Sequence, residues 1–374
     1  MARVGISLLT LVPGIVGGSE VYARELCRAL GRVGTHDYLV LAPTIAPDAG
    51  GPLETRVVTE YRASRTMPGR IAAMSAAALA PWPLRRAIGI GSLDALHFPL
   101  SVMLPPVSKP PAATTVLDIQ HELLPQLFSR AELAYRRRVY GSTVRRSRLV
   151  LTISEHARET LIERLGLAPE RVRAIHLAVD HERFRPDPGA AGAGAGPGAG
   201  AAAGAAREPF LLYPANRWAH KNHDRLFAAL ALVRRERPEL RLVLTGSGHE
   251  SHPAPDYVDV RGRVSADELL HLFRTASALV FPSLYEGFGM PVLEAMAVGC
   301  PVASSNAGSL PEVAGDAAVL FDPYDPEAIA AGILEALRRG DELAARGPAR
   351  AAGFTWDACA RAHDAVYTEL LGSS

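Results

Sequence analysis

The sequence predicts an α/β protein of two domains, each built on a parallel β-sheet with helices on both faces. Short apolar runs alternate with amphipathic helical patterns, which is typical of parallel sheets joined by crossover helices. This alternation occurs twice, on either side of a segment made almost entirely of Gly and Ala. The chain of 374 residues is also long enough for two ordinary domains, whereas a single core of that size would be unusual.

The strands are predicted from continuous apolar runs, which indicate strands buried on both faces of a sheet. Before the Gly/Ala segment these runs read RVGISLL, DYLVLAP, ALHFP, AATTVLD and RLVLTIS. After that segment they read PFLLYPA, LRLVLTG, ALVFPS and PVASS.

Helical patterns lie between these runs. They are predicted over residues 20–30, 155–165, 224–236 and 266–275, and a further amphipathic helix is predicted over residues 356–371. The helix over 266–275 follows Ser265, and Glu268 stands three residues later, which is the spacing of a capping box.

The Gly/Ala segment divides the chain. Such a composition cannot bury enough apolar surface to offset its ordering entropy, so a flexible tether is predicted over residues 187–207. The N-terminal domain is then predicted over residues 1–185 and the C-terminal domain over 208–355. The helix over 356–371 could pack on either domain.

Composition excludes several classes of protein. The formal net charge is +1, so no overall field attracts nucleic acid. Cys27, Cys300 and Cys359 are widely separated and lack metal-ligand spacing, which indicates a reduced, intracellular protein without disulfides or a metal site on cysteines. Apolar stretches of the length that crosses a bilayer are not found, and the N-terminal residues do not form a secretory signal. The expectation is a cytoplasmic protein, at most peripheral to the inner face of the membrane.

The stretch PSLYEGFGMPVLEAMAVGCPV holds the first candidate site. A strand, a glycine-rich loop and a helix follow one another, with Pro291 in the first turn of the helix and Gly299 at its end. The N-terminus of a helix after such a loop favours an anion. Glu286 lies in the loop and Glu294 one turn into the helix. In isolation the two glutamates favour incidental surface charge, but on either side of a phosphate they suit sugar and ribose hydroxyls.

Cations for a phosphate stand in YPANRWAHKNHDRL. Arg217 and Lys221 lie in a loop between a predicted strand and helix, and Asn222 is a candidate cap for that helix. Two solvated loop cations are the alternative interpretation. In the N-terminal half, Gly17 and Gly18 in VPGIVGGSE would let backbone approach a phosphate, although the spacing of a dinucleotide fingerprint is missing.

The motif E-G-F-G-M-P-V-L-E resembles the signature of glycosyltransferase family 4. The stretches NRWAHKN, GRVSADEL, TISEHARETL, HLAVDHERFRP and the early GG resemble the same family in the same order, across nearly the whole chain outside the tether. The resemblance implies a GT-B fold, in which two Rossmann-like, doubly wound domains face a central cleft. It implies that the N-terminal domain binds the acceptor, that the C-terminal domain binds a nucleotide sugar, and that the helix over 356–371 packs on the N-terminal domain.

The resemblance also implies roles for residues. Glu294 would hold the ribose hydroxyls and Glu286 the hydroxyls of the donor sugar, while Arg217 and Lys221 would neutralise the leaving diphosphate. The loop at Arg263 would contact the base. The full set of implied donor-binding residues is Gly17, Gly18, Asn216, Arg217, Lys221, Arg263, Val264, Glu286, Gly287, Phe288, Gly289, Met290 and Glu294.

The implied chemistry is retaining transfer without a protein nucleophile, in which the leaving phosphate helps to deprotonate the acceptor. An Asp-x-Asp motif is absent from the sequence, so neither a metal nor another cofactor is expected. GDP-mannose is the expected donor, since the motifs look most like those of bacterial mannosyltransferases, with UDP- and dTDP-sugars left open. A glycan, polyprenyl-linked or small-molecule acceptor in polysaccharide biosynthesis is expected.

The acceptor-side stretch TTVLDIQHELL departs from the family pattern. Leu117 stands where the family commonly has His, whereas Asp118 matches and His121 follows one turn later. Asp118 and His121 are therefore candidate catalytic residues beside Lys221, Arg217 and Glu286. A His that merely caps or packs is an equal alternative for His121.

The run of arginines from Arg130 to Arg148 suggests a further partner. A run of this kind is usually a solvated face, but with apolar residues interleaved it would also suit anionic lipid headgroups. Two other functions stay open. One is a GT-B-fold nucleotide-sugar epimerase, and the other is a non-catalytic, sugar-nucleotide-binding partner of a transferase.

Overall fold

The structure, a computed structural model, describes residues 1–14, 17–187, 207–249 and 253–372. These residues form two compact units. The first comprises Met1–Leu177 together with the chain from Trp356 onward, and the second comprises Ala178–Thr355. The boundary therefore lies before the predicted position 185, because residues after Leu177 pack in the second unit, where Val179 N–H donates to the Phe354 carbonyl at 3.3 Å. Of the predicted tether, residues 188–206 lie outside the described residues.

The first unit contains a seven-stranded parallel sheet. Its strands are β1 (Arg3–Ser7), β2 (Asp37–Pro43), β3 (Glu54–Val58), β4 (Ala95–Phe98), β5 (Ala112–Thr115), β6 (Leu149–Thr152) and β7 (Val172–Ala174). Its helices are α1 (Gly18–Val33), α2 (Met67–Leu79), α3 (Pro81–Ala87), α4 (Gln120–Leu123), α5 (Arg130–Arg146), α6 (Glu155–Leu165) and α13 (Trp356–Gly372). The strand order is β3-β2-β1-β4-β5-β6-β7.

The C-terminal helix α13 packs against α1 of the first unit through buried polar contacts. The Tyr22 hydroxyl lies 2.8 Å from His363 Nε2, and the Tyr367 hydroxyl lies 2.8 Å from His97 Nδ1. All four side chains are buried. Because each of these buried polar groups has a partner, the network fixes one docking position for the helix.

The second unit contains a six-stranded parallel sheet. Its strands are β8 (Glu208–Pro214), β9 (Arg241–Thr245), β10 (Val258–Gly262), β11 (Ala276–Phe281), β12 (Val302–Ser305) and β13 (Val319–Phe321). Its helices are α7 (His223–Glu236), α8 (Ala266–Thr275), α9 (Met290–Ala297), α10 (Leu310–Ala314), α11 (Pro326–Arg338) and α12 (Gly340–Ala351). The strand order is β10-β9-β8-β11-β12-β13.

In both sheets the strand order reverses once, and open parallel sheets commonly bind ligands at such a point. In the second sheet the chain builds outward from β8 to β10 on one side, and then from β11 to β13 on the other. In the first sheet the same reversal separates β1 from β4. The loops that leave neighbouring strands at such a point diverge and open a crevice at the carboxyl edge of the sheet.

The lengths and polarities of the described helices bear on whether any of them could span a bilayer. A helix with the length and apolar character needed to cross a bilayer is not found among the residues that the structure describes.

Candidate active site

The crevice of the second sheet joins the two sequence motifs that were predicted separately. The loop after β8 carries Lys221, and the loop after its neighbour β11 carries Glu286. Lys221 Nζ lies 2.5 Å from Glu286 Oε1, and the two side chains are only 12% and 14% exposed. The ammonium and the carboxylate therefore form an enclosed ion pair at the point where the strand order of the sheet reverses.

Backbone contacts hold Lys221 in place. Lys221 ends a short 3-10 turn over Ala219–Lys221, and the Tyr213 hydroxyl of β8 donates to its carbonyl at 2.6 Å. Leu284 N–H donates to the His220 carbonyl at 2.8 Å, which ties this turn to the loop after β11. The ammonium also lies 5.3 Å from the centroid of the Phe281 ring, within the range of a cation–π contact.

Glu286 is positioned by the loop that follows β12. The Ser309 hydroxyl donates to the Glu286 carbonyl at 3.0 Å, and Ser309 N–H donates to the same oxygen at 3.3 Å. Gly308 has a φ of +64°, and a Cβ at that position would lie 2.9 Å from the Glu286 carbonyl oxygen. Glycine is therefore required at this position for both its conformation and its close approach.

The helix α9 begins at Met290, after Gly289 with a φ of +102°, and it carries Pro291 in its first turn as predicted. Glu294 lies one turn further on, partly buried, and its carboxyl has no hydrogen-bond partner among the described residues. Burial raises the pKa of Glu294 to about 8, and the charge of Arg183 opposes that shift. This carboxyl is therefore largely protonated at neutral pH.

Arg217 and Asn216 follow β8 at the same edge. Arg217 Nη2 lies 2.7 Å from Asp224 Oδ1, and the arginine side chain is 15% exposed against 89% for the aspartate. Asn216 Oδ1 accepts hydrogen bonds from Ser247 N–H at 2.8 Å and from the Ser247 hydroxyl at 2.9 Å. Asn216 thus holds the loops after β8 and β9 together, and its side-chain oxygen is already engaged.

Asn222 differs from its predicted role. It occupies the N-cap position of α7 with a φ of +62°, but its side chain makes no capping hydrogen bond. Instead its Nδ2 donates to the carbonyls of Pro282 at 3.0 Å and Pro323 at 2.7 Å. Asn222 therefore stands at the predicted cap position, but its left-handed backbone turns the amide toward the loops after β11 and β13.

Three histidines near this edge did not enter the sequence-based prediction. Burial lowers the pKa of His220 to about 4 and that of His223 to about 3, so both rings are neutral at pH 7. The rings of His223 and His249 lie 5.0 Å apart, centroid to centroid. For His220 and His223 the available signal was their position on either side of Lys221 in AHKNH, but proximity in sequence cannot show which side chains are enclosed.

Four further predicted donor residues of this unit lie in two loops, the one after β10 and the one that carries Glu286. Arg263 and Val264 stand between β10 and α8, with Arg263 exposed and Val264 half-buried. Gly287 belongs to the loop that carries Glu286, and the Phe288 side chain is buried, with its ring 6.0 Å from that of Phe354. Phe288 therefore stabilises the glycine loop from inside.

The first unit holds the two glycines predicted to approach the diphosphate and the acceptor-side candidates Asp118 and His121. Gly17 has a φ of +52° and precedes Gly18, the first residue of α1, beside the reversal between β1 and β4. Asp118 Oδ1 accepts from Gln120 N–H at 3.1 Å. His121 is buried, with its ring 4.9 Å from that of Tyr140, and burial lowers its pKa. This geometry favours the packing alternative for His121.

Within the ranges that the structure describes, the His, Cys, Asp and Glu side chains do not form a group of three or more that could hold an ion.

Two family models together match most of the chain. A family model described as Glycosyltransferase Family 4 matches residues 16–183, and one described as Glycosyl transferases group 1 matches residues 202–351. O-antigen chain mannosyltransferase B of Escherichia coli is 32% identical over 263 residues, which cover 66% of this chain and 68% of that protein. The chain belongs to glycosyltransferase family 4. The recognition from sequence motifs is confirmed.

Further relatives carry related names. A D-inositol 3-phosphate glycosyltransferase of Streptomyces scabiei is 34% identical over 261 residues, which cover 63% of this chain and 57% of that protein. An MMP alpha-(1->4)-mannosyltransferase of Mycolicibacterium hassiacum is 30% identical over 256 residues, which cover 63% of this chain and 59% of that protein. The match thus spans little more than half the length of these two relatives.

Solved structures show the fold class of this family 4 member. Sucrose-phosphate synthase of Thermosynechococcus elongatus matches with a TM-score of 0.75 at 19% identity, over 100% of both chains. WaaG, described as a glycosyltransferase involved in lipopolysaccharide biosynthesis, matches with a TM-score of 0.69 at 17% identity, over 97% of this chain and 99% of that one. The α/β, GT-B prediction is confirmed.

Proposed function

We propose that this glycosyltransferase transfers a hexose from a nucleotide sugar with retention of configuration, and that the hexose is mannose from GDP-mannose. The main support for this proposal is the enclosed ion pair of Lys221 and Glu286, whose Nζ and Oε1 atoms lie 2.5 Å apart. The pair stands where the strand order of the second sheet reverses. A cation for a diphosphate and a carboxylate for sugar hydroxyls then meet where open parallel sheets bind their ligands.

Mannose as the transferred sugar is supported by relatives. Among the three relatives described above, the Escherichia coli O-antigen protein at 32% identity and the Mycolicibacterium hassiacum protein at 30% are named mannosyltransferases. A UDP-sugar is the alternative donor, because HepE of Anabaena, solved with UDP-glucose, matches with a TM-score of 0.70 at 16% identity. The base would contact the loop at Arg263 and Val264.

The proposed chemistry begins with charge on the leaving diphosphate. Lys221 and Arg217 neutralise that charge, and the N-terminus of α9 adds its dipole. Arg217 can leave Asp224 at small cost, since that aspartate is 89% exposed and exposed ion pairs contribute little. Glu286, released as Lys221 turns to the phosphate, accepts hydrogen bonds from the sugar hydroxyls, and Glu294 accepts from the ribose.

The remaining steps concern the acceptor and require no metal. The leaving phosphate accepts the acceptor's proton on the face from which it departs, so configuration is retained without a protein nucleophile. Gly17 and Gly18 approach the diphosphate, and Asp118 lies on the acceptor side. Activity that persists in EDTA would support metal independence, and activity restored only by added Mg²⁺ would contradict it.

The proposed acceptor is a glycan or a polyprenyl-linked sugar at the cytoplasmic face of the membrane, in polysaccharide biosynthesis. The arginines of α5 and its C-terminal flank contribute positive charge there. Two of them are paired, Arg136 with Glu132 at 2.9 Å and Arg137 with Glu122 at 2.9 Å. Arg130, Arg138, Arg145, Arg146 and Arg148 have no acidic partner among the described residues.

A donor panel tests the proposal. The purified protein is incubated with GDP-, UDP- and dTDP-sugars, with and without a mannose-containing acceptor, and the products are resolved by mass and anomeric NMR. We expect an α-linked mannosyl product from GDP-mannose. Isomerised donor without acceptor would instead indicate an epimerase, and an unchanged panel would indicate a binding partner without activity. Glu335→Gln, on an exposed helix face, serves as the matched control.

A further inference from the structure

One surface of the first unit is unusual in both charge and polarity. Residues 61–93 contain five arginines and no Asp or Glu. Within this stretch Leu79, Trp82 and Ile71 are 87%, 67% and 43% exposed. Large apolar side chains exposed together are uncommon on a surface that meets only water. We therefore expect a binding partner to cover this α2–α3 surface, residues 62–86.

The helix α2 has apolar residues on both of its faces. Its inner face packs Ala73, Met74 and Ala77 against the core of the first unit. Its outer face is exposed and carries no charge after Arg70, with Ile71, Ala72, Ser75, Ala76, Ala78 and Leu79. A helix whose solvent side would ordinarily be polar is apolar here, so this side suits a nonpolar medium.

The arginines lie at the two ends of the apolar face. Arg62 and Arg65 precede α2 and are exposed. Arg86 in α3 is also exposed, and its guanidinium carbon lies 5.9 Å from the centroid of the Trp82 ring. Tryptophan and arginine at the rim of an apolar patch are typical of a membrane–water interface, where the ring is buried at headgroup depth and the cation meets phosphate.

We propose that the α2–α3 surface inserts into the headgroup region of an anionic phospholipid bilayer, with Leu79 and Trp82 as the residues that enter it. Charge complementarity favours an anionic lipid surface over a second copy of the chain. A symmetric contact between two copies would bring two sets of five arginines together, with no acidic residue in either stretch to compensate them. The proposal deepens and rests on the membrane contact proposed above, and it assigns insertion to α2–α3, while the α5 arginines would add long-range attraction.

Vesicle binding tests this assignment without donor or acceptor. Full-length protein is sedimented with phosphatidylcholine vesicles, with or without added phosphatidylglycerol, and the partition coefficient is measured. We expect binding to the anionic vesicles that weakens with salt. The double variant Leu79→Ser/Trp82→Ser should partition at least about tenfold more weakly. The triple variant Arg62→Ala/Arg65→Ala/Arg86→Ala should lose about a hundredfold on anionic vesicles.

Two controls keep the test specific. Tyr324→Ser removes an aromatic side chain that is 55% exposed in the second unit, and it should bind vesicles as the wild type does. Trp82→Phe keeps an apolar ring, so it should still bind while losing the blue shift of tryptophan emission that vesicles cause in the wild type. The proposal would be overturned if the wild-type protein did not bind anionic vesicles, or if the Leu79/Trp82 variant bound them as strongly as the wild type does. A shift from dimer to monomer in that variant would assign the surface to a second copy instead.

Donor activity separates this proposal from the proposed function. The vesicle variants leave the second unit unchanged, so donor binding should persist in them. Loss of vesicle binding with intact donor binding would assign the failure to α2–α3 alone. An inactive wild type that still binds vesicles would count against the proposed reaction and leave the surface assignment standing.

Discussion

Lys221 Nζ lies 2.5 Å from Glu286 Oε1, although 65 residues separate the two in the sequence. The sequence motifs assigned them to different parts of a donor, the diphosphate and the sugar. In the structure each is the partner of the other before any donor binds. Both side chains are mostly enclosed, so removing either leaves an uncompensated charge in a poorly solvated place.

Removing the ammonium should act mainly on turnover. In Lys221→Ala, charge that develops on the leaving diphosphate loses its closest cation, so we expect kcat to fall by about 10²–10³ with a smaller change in KM. Steady-state kinetics with saturating acceptor measure this split. Arg235→Ala, which removes an exposed cation from the last turn of α7, is the matched control. A rise in KM alone would contradict the assigned role.

Replacing Glu294 should stabilise the empty protein and weaken donor binding. The folded carboxyl keeps its proton up to about pH 8, whereas in the unfolded chain it titrates near its usual value of 4.5. The free energy of unfolding therefore decreases as pH rises from 4.5 to 8, and Glu294→Gln removes this loss. We expect a gain of roughly 2 kcal/mol at pH 8 and none at pH 4, from urea unfolding.

The Glu294→Gln variant also tests the role of Glu294 in donor binding. Donor affinity should fall, because an amide offers one acceptor oxygen where a carboxylate offers two. In the wild type, affinity should rise with pH up to about 8, since ribose hydroxyls favour the ionised carboxylate. Equal donor affinity in Glu294→Gln and the wild type would remove Glu294 from the site.

Gly308 should be sensitive to the smallest possible change. A Cβ there would lie 2.9 Å from the Glu286 carbonyl, and a φ of +64° is strained for alanine. We expect Gly308→Ala to cost about 1–3 kcal/mol of stability and to displace Glu286, with a fall in kcat/KM. Gly340→Ala, at the start of α12 and without a close contact, should be neutral in both measurements.

The interior of each sheet was predictable from the sequence, and the edges were not. The nine predicted runs correspond to β1, β2, β4, β5 and β6, and to β8, β9, β11 and β12. The four strands that lacked a clear run, β3, β7, β10 and β13, are the edges of the two sheets. An edge strand has one neighbour and exposes part of its length, so its apolar run is interrupted, as in β10 with Asp259 and Arg261.

The residues of the site were also only partly predictable. The helix start at Met290 with Pro291 follows from local rules, and so does the Ser265 cap, whose hydroxyl accepts from Glu268 N–H at 3.1 Å. The pairing of Lys221 with Glu286 depends on the order of β8 and β11, which no local pattern contains. The tie between Asn216 and Ser247 has the same origin.

The docking of α13 should depend on pH. His363 Nδ1 lies 2.8 Å from the Cys359 carbonyl, so it carries the proton, and Nε2 accepts from the Tyr22 hydroxyl. Burial lowers the pKa of His363 to about 4, against 6.5 for an ordinary histidine. The unfolded chain therefore binds a proton first as pH falls from 6.5 toward 4, and the free energy of unfolding decreases over that range.

Tyr22→Phe tests this network directly. It leaves buried His363 Nε2 without its donor, at a cost of about 1–3 kcal/mol. Hydrogen exchange of α13 amides should report faster opening of that helix. Exchange that is unchanged in α13 while the whole protein is destabilised would contradict a local docking role.

The most direct test of the central claim is a titration of GDP-mannose into the wild type, Lys221→Ala and Glu294→Ala, followed by calorimetry and by thermal unfolding. A ligand that binds only the folded state raises the unfolding temperature with its concentration. We predict clear binding and protection in the wild type, retained in part by Lys221→Ala and lost in Glu294→Ala. Equal protection of all three proteins would show that the donor binds elsewhere, and that Lys221 and Glu294 are not part of its site.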